Sequence, residues 1–162
     1  EQLELIPSVI TDWASWRRDH PETTVLNMSR TADRFRVEFI TNPSRFVYGM
    51  ADGDARAWPL DQLARQPVVN DSFAGDSVLI LFDPATATAR SFTRRVEQRT
   101  LAFAIRAGAL IDTATNSHWH PATGVAIAGP LKGKSLAPAL GIISYAKAWK
   151  TFHPETTRWQ AP

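Results

Sequence analysis

The sequence TDWASWRRDHPETT at residues 11–24 has a second copy, SYAKAWKTFHPETT, at residues 144–157. Six of the fourteen aligned positions are identical, including a Trp, a His and the Pro-Glu-Thr-Thr that follows it. The two copies are separated by 133 residues. A motif that returns after a fixed interval indicates a structural unit of that length. The sequence therefore predicts one complete unit of about 133 residues, preceded by the closing segment of another.

This internal repeat divides the chain into two regions. Residues 1–28 are predicted to be the closing segment of a preceding repeat unit, packed on the main domain, and residues 29–162 a single mainly β domain. Such packing requires residues 10–20 to contact the rest of the chain. The chain begins at Glu1 without an initiator Met or the pattern of a signal peptide, so we expect a fragment or processed part of a longer protein.

The amino-acid composition is typical of a globular protein. The 162 residues are 44% hydrophobic and 21% charged, and the net charge is +2. Lys and Arg are scattered, which argues against nucleic-acid binding. No apolar run reaches the roughly eighteen residues of a membrane span, so no transmembrane segment is expected. The absence of Cys from the sequence excludes disulfides, thiolate metal sites and a cysteine nucleophile.

Each copy of the motif predicts a short helix. Thr11 and Ser144 are expected to cap the two helices, because a hydroxyl can accept a free backbone N–H of the first turn. The proline of each copy ends its helix. In the first helix Trp13 and Trp16 are expected to share one face, while Asp19 points outward.

Between the two copies the patterns are those of β-strands. Residues 34–40 alternate polar with apolar, residues 46–50 and 54–58 flank a tight turn at Gly53, and residues 77–82 form a continuous apolar run typical of a central strand. The expected fold is α+β and mainly β. It is predicted to be a curved antiparallel sheet or a partly closed barrel, with short helices covering an edge.

Five motifs occur in a fixed order between residues 55 and 156, and the last of them belongs to the second copy of the repeat. They are ARAWPL at 55–60, VNDS at 69–72, DTATNSHW at 112–119, TGVAIAGPLKG at 123–133 and WKTFHPET at 149–156. In this order they resemble the bacterial and archaeal domain-of-unknown-function family 3179. The resemblance implies a duplicated protein, of which this chain is similar to the second half. It also implies an extracytoplasmic location, periplasmic or at the cell surface, and a partner that is the other half of the parent protein or another subunit.

One departure from the family pattern concerns a pair of cysteines. In the first half of such proteins the resemblance leads one to expect Tyr-Cys-Pro-Leu-Cys-Gly, whereas this chain has Phe-Asp-Pro-Ala-Thr-Ala at residues 82–87. Asp83 and Thr86 stand where the cysteines would be. A redox or metal function that depends on those thiols would therefore be lost here, and the resemblance implies no known activity.

The candidate metal ligands are two histidines and two aspartates. His118 and His120 are two residues apart, so on a strand they project to the same side, close enough to share a divalent metal ion. Asp71 or Asp112 would have to supply a third ligand through folding. The structural alternative is a strand edge with two exposed imidazoles on either side of a packed Trp119.

Other polar groups favour structural roles. Residues 70–72, Asn-Asp-Ser, are expected to form a turn whose side chains bond their own backbone, although Asp71 in a buried setting could act as a base or ligand. Asp112, Thr115 and Ser117 have the residue types of a serine-hydrolase set. However, the sequence has no Gly-x-Ser-x-Gly elbow, and the nearest His follows Ser117 directly.

Together with this resemblance, the sequence favours an extracytoplasmic module of a duplicated bacterial protein, non-enzymatic, with a binding or structural role. One alternative is a metal-binding or redox-associated domain that uses His118 and His120. The other is a carbohydrate-binding module that uses exposed tryptophans, although packing is the favoured role for most of these rings. The tryptophans are at positions 13, 16, 58, 119, 149 and 159.

Overall fold

The fold is mainly β with short helices, as the sequence predicts. The structure, a computed structural model, describes residues 8–24 and 38–162. The described strands form four separate sheets rather than one, and none of these sheets closes into a barrel. In this part of the chain no helix is both long enough and apolar enough to cross a membrane.

The elements alternate along the chain with short turns. The helices are α1 (Trp13–Asp19), α2 (Leu60–Leu63) and α3 (Ala146–Phe152), with a 3-10 turn at Pro43–Arg45. The strands are β1 (Phe46–Asp52), β2 (Asp54–Pro59), β3 (Val68–Phe73), β4 (Asp76–Asp83), β5 (Thr88–Thr93), β6 (Arg95–Val96), β7 (Arg99–Thr100), β8 (Phe103–Arg106), β9 (Ala109–Asp112), β10 (His118–Trp119), β11 (Ala126–Ala128), β12 (Ile142–Tyr145) and β13 (Thr157–Arg158).

The first sheet joins the middle of the chain to its end. Its strand order is β12-β1-β2-β13, with β13 parallel to β2 and the other pairs antiparallel. The predicted hairpin β1–β2 is confirmed. Gly53 makes its turn with a φ of 68°, a left-handed conformation that glycine adopts without a steric penalty.

The second sheet has the order β3-β4-β5, so the apolar run at 77–82 is the central strand that the sequence predicts. Side chains alternate along a strand. Val78, Ile80 and Phe82 therefore enter one hydrophobic core, while Leu79 and Leu81 enter a second. A strand buried on both faces has no polar alternation, which explains the continuous apolar run.

The third sheet has the order β11-β10-β9-β8, and a side chain connects it to the second sheet. Asn70 in β3 donates to the carbonyl of Phe103 and accepts from its N–H, both at 2.8 Å. Residues 70–72 thus lie in a strand, and the predicted turn at this position is wrong. β3 and β8 belong to different sheets, and the amide side chain of Asn70 supplies hydrogen bonds between them.

Three further local predictions are corrected. Residues 38–41 are helical, whereas the alternating pattern of residues 34–40 predicts a strand; residues 34–37 lie outside the described part of the chain. Asp12, not Thr11, caps α1, because its carboxylate accepts both the N–H of Ser15 at 3.0 Å and its hydroxyl at 2.8 Å. Ser144 does not cap α3, since it belongs to β12 and pairs there with β1.

The two copies of the repeated motif have the same local structure. Each forms a seven-residue helix whose last turn is closed by a His N–H that donates to the carbonyl of the Trp four residues earlier, at 2.8 Å. The His20 ring lies 4.1 Å from the Trp16 ring, and the His153 ring lies 4.2 Å from the Trp149 ring. The tilt between the rings is also similar, 32° and 37°.

The surroundings of the two helices differ. Trp149 is 4% exposed and lies on β1, where a Cβ added to Gly49 would come within 2.5 Å of its ring. Trp16 is only half-buried, and Trp13 is 43% exposed. The predicted apolar face of Trp13 and Trp16 is therefore not the face that packs; in α1 the buried side chain is Ser15.

Candidate functional site

A concave site lies where the start of β5, the β8–β9 hairpin and β10 meet. Its cavity has a volume of about 400 Å³, within the range of small-molecule sites. Buried Leu81, Leu110 and Trp119 line it together with charged and imidazole side chains. We call this space the β5–β10 cavity.

Both predicted histidines line the β5–β10 cavity. His118 lies in β10 and is exposed, while His120 follows that strand and is half-buried. The Nδ1 atom of His120 accepts the N–H of Ala122 at 3.3 Å, which orients its ring. Trp119, between them in sequence, is 2% exposed, so the packed tryptophan of the structural alternative is also present.

Asp71 does not line this cavity, because its carboxylate is bound elsewhere. It forms an ion pair with Arg56, whose Nε lies 2.9 Å from Oδ2, and the indole N–H of Trp58 donates to the same oxygen at 2.9 Å. The Arg56–Asp71 pair is bidentate, since a second guanidinium nitrogen reaches Oδ1 at 3.2 Å. Asp71 therefore joins β2 to β3.

Asp112 is fully buried at the end of β9, and its carboxylate organises the turn that follows. It accepts the N–H and the hydroxyl of Thr115 at 2.6 and 2.7 Å, the N–H of Ser117 at 3.2 Å and the indole N–H of Trp119 at 3.1 Å. Burial by itself raises the pKa of Asp112, but these hydrogen bonds together outweigh it and lower the pKa. Asp112 does not line the β5–β10 cavity.

The structure therefore brings two of the four predicted metal ligands to one cavity and leaves Asp71 and Asp112 in separate networks. Within residues 8–24 and 38–162, no three His, Asp or Glu side chains form a group that could hold a metal ion. Thr115 and Ser117 do join Asp112, with their hydroxyls 2.6 Å apart. Ser117 is fully buried and its Oγ accepts the N–H of Leu131, so the set holds two loops together.

The lowered pKa of Asp112 predicts a loss of stability in acid. A carboxyl group whose pKa is depressed by folding stabilises the protein above its unfolded pKa of about 3.9 and loses that contribution as the pH falls through the folded value. We expect the unfolding free energy of the wild type to decrease below about pH 4 and the Asp112→Asn variant to show a shallower decrease. Urea titrations between pH 2 and 7 measure both; equal slopes would contradict the assignment.

Asp83 and Thr86 occupy the positions where the resemblance places two cysteines, and they are bonded to each other. The Thr86 hydroxyl donates to one oxygen of Asp83 at 2.8 Å, and the N–H of Ala85 donates to the other at 2.9 Å. This polar turn connects β4 to β5 at the edge of the β5–β10 cavity. The Asp83 side chain thus closes this turn through its bonds with Thr86 and Ala85.

Sequence reasoning missed Arg90, which lines the β5–β10 cavity together with Arg18. Its guanidinium lies 3.7 Å from the carboxylate of Asp19 in α1, and the Asp19 side chain is only 9% exposed rather than pointing outward as predicted. Burial lowers the pKa of Arg90, an effect that Asp19 and Asp83 oppose. The two partners are 71 positions apart, so no local pattern could have joined them.

The tryptophans are mostly packed, as the sequence favours. Trp58, Trp119, Trp149 and Trp159 are buried, and each of the first three donates its indole N–H to a side-chain oxygen. A carbohydrate platform needs at least two exposed rings. Trp13 is the exposed ring, with Trp16 half-buried beside it on α1.

The remaining basis for classification is comparison with known proteins. No curated protein and no solved structure matches the chain. A family described as "Protein of unknown function (DUF3179)" matches residues 36–158, a stretch that includes the five ordered motifs and all of strands β1 to β13. The chain belongs to this family.

Proposed function

We propose that the chain is a non-enzymatic structural and binding module of a larger extracytoplasmic bacterial protein, and that residues 8–24 join it to a preceding unit. The observation that carries this proposal is the repeated helix. The α1 segment has the local structure of the closing helix α3, yet Trp16 is only half-buried, whereas Trp149 is 4% exposed.

The α1 segment is attached to the body of the domain at both ends. Before the helix, Thr11 accepts a hydrogen bond of 2.8 Å from the hydroxyl of Thr88, which is 2% exposed. At its last residue, Asp19 pairs with Arg90. Both contacts are on β5, so the segment is attached to one strand, and this supports a structural role for it in the module.

The Trp16 face of α1 supports a specific partner. In the second copy, the matching Trp149 rests on Gly49 of β1, with Val47 and Ala57 completing the cluster. We propose that the preceding unit supplies an equivalent glycine-bearing strand for Trp16. The partner is then the other half of the parent protein, or another subunit that presents the same strand.

The polar clusters support a non-enzymatic role, because their reactive groups are committed to structure. Asp71 and Asp112 use their oxygens in ion pairs and hydrogen bonds, and Ser117 is inaccessible. The proposed location outside the cytoplasm rests on the resemblance of the motifs.

Hydrogen exchange of the α1 amides tests the attachment. We expect the N–H groups of Trp16 and His20 to exchange about tenfold faster in an Asp19→Ala/Thr88→Val double variant, because it loses both contacts with β5. Amides of β4 should keep their wild-type rates, which separates local opening from global unfolding.

The matched control is Glu22→Ala, which changes an exposed charge beside α1. It should leave the exchange rates unaltered. Equal α1 rates in the wild type and the double variant would show that these contacts do not hold the segment, and the proposed joining role would be withdrawn.

A further inference from the structure

The Arg90 guanidinium in the β5–β10 cavity has unused hydrogen-bonding capacity. Its side chain is 16% exposed, and within the described part of the chain its one ion pair is the 3.7 Å contact with Asp19, with no hydrogen bond from its nitrogens. A well-formed bond between a guanidinium and a carboxylate measures about 2.7–2.9 Å. The planar guanidinium therefore remains able to bind an anion in two-pronged fashion.

The carboxylates near Arg90 are engaged with other groups. Asp83, on the same cavity, accepts the N–H of Ala85 and the hydroxyl of Thr86. Asp19 also lies 3.9 Å from Arg18. The Asp19 carboxylate is thus shared between Arg18 and Arg90. A ligand carboxylate that is better placed can therefore displace Asp19 from Arg90.

Part of the cavity lining is apolar and open to solvent. Ile105 and Ile127 both line the cavity, and each is 53% exposed. The buried side chains of Leu110 and Trp119 line it as well. Exposed isoleucines at the border of a concave site are typical of a surface that an apolar ligand covers.

We infer that the β5–β10 cavity binds a small amphipathic carboxylate. Its carboxylate accepts hydrogen bonds from Arg90 in place of Asp19, and its hydrocarbon part lies against Ile105, Ile127 and Leu110. This ligand site goes beyond the proposed joining role and does not depend on it, because it requires the cavity and Arg90 but no preceding unit.

Isothermal titration calorimetry with octanoate tests this site, and 1-octanol serves as the neutral probe of equal chain length. We expect octanoate to bind the wild type at least about tenfold more tightly than octanol, since the charge-assisted contact is lost with the alcohol. Arg90→Gln should reduce octanoate affinity by a similar factor and leave octanol binding unchanged. The matched control, Arg99→Gln on β7, changes an exposed arginine and should leave octanoate affinity unchanged.

Two further variants test the site without removing Arg90, so a folding defect in that variant does not stop the experiment. Asp19→Asn removes the competing anion and should strengthen octanoate binding. Ile127→Ser changes an exposed residue and should weaken both probes. The inference is overturned if millimolar octanoate does not bind, if octanol binds equally well, or if octanoate binding survives Arg90→Gln unchanged.

Discussion

Replacing Asp112 by alanine is expected to lower the unfolding free energy by about 3–5 kcal/mol, the usual effect of breaking a buried charged network. The substitution removes the acceptor for the N–H groups of Thr115 and Ser117 and for the indole of Trp119, and both Ser117 and Trp119 are buried. A buried donor without a partner costs about 1–3 kcal/mol. Because domains of this size are stable by about 5–15 kcal/mol, the variant should be at the margin of folding.

Urea unfolding followed by tryptophan fluorescence measures this loss. The matched control is Asp76→Ala, an exposed aspartate at the β3–β4 turn, which should change the free energy by less than about 0.5 kcal/mol. Asp112→Asn should fall between the two, because its amide keeps one acceptor but brings its own N–H groups against donors. A loss below about 1 kcal/mol for Asp112→Ala would mean that the surrounding turn finds other acceptors.

The second large effect is expected at Trp149. Trp149→Ala should cost about 3–5 kcal/mol, as for other buried aromatic residues. The ring fills the space above Gly49, and its indole N–H donates to the Thr156 hydroxyl at 2.9 Å. The variant loses that packing and leaves a cavity beside β1.

The repeat provides the matched control. Trp16 lies in the equivalent helix and packs on the equivalent histidine, His20, but its ring is more exposed. Trp16→Ala should cost less than half as much as Trp149→Ala in the same urea measurement. Equal costs would indicate that Trp16 is as fully packed as Trp149, and the proposed strand from a preceding unit would then have no place to bind.

Sequence patterns predicted the elements whose signals are local. The hairpin at Gly53 and the central strand β4 were predicted because turn chemistry and apolar runs act within a few residues. Residues 38–41 were predicted wrongly, since a short alternating pattern does not distinguish a strand from a helical turn that packs Phe39 into the first core.

The contacts between distant parts of the chain could not be predicted. Asn70 was expected in a turn because its residue type favours turns, and only the position of β8 beside β3 gives its amide two backbone partners. The same holds for Thr11, which was the expected cap of α1. Its hydroxyl instead accepts a hydrogen bond from the hydroxyl of Thr88. In each case tertiary contacts decided the role of a polar side chain whose residue type allowed several.

The candidate site was predicted in part for the same reason. The spacing of His118 and His120 placed them together, and both do line one cavity. The roles of the aspartates depend on partners from other strands, Arg56 for Asp71 and Trp119 for Asp112. Arg90, a cation that lines the same cavity, belongs to none of the motifs.

The position of the central strand β4 determines how substitutions in the hydrophobic cores affect stability. Its side chains supply both hydrophobic cores, so neither core can separate from the other without breaking the strand that they share. A substitution in either core therefore reduces the stability of the whole module rather than of one part. The β5–β10 cavity shares this dependence, because Leu81 of β4 lines it. We therefore expect the cavity to open only when both cores unfold.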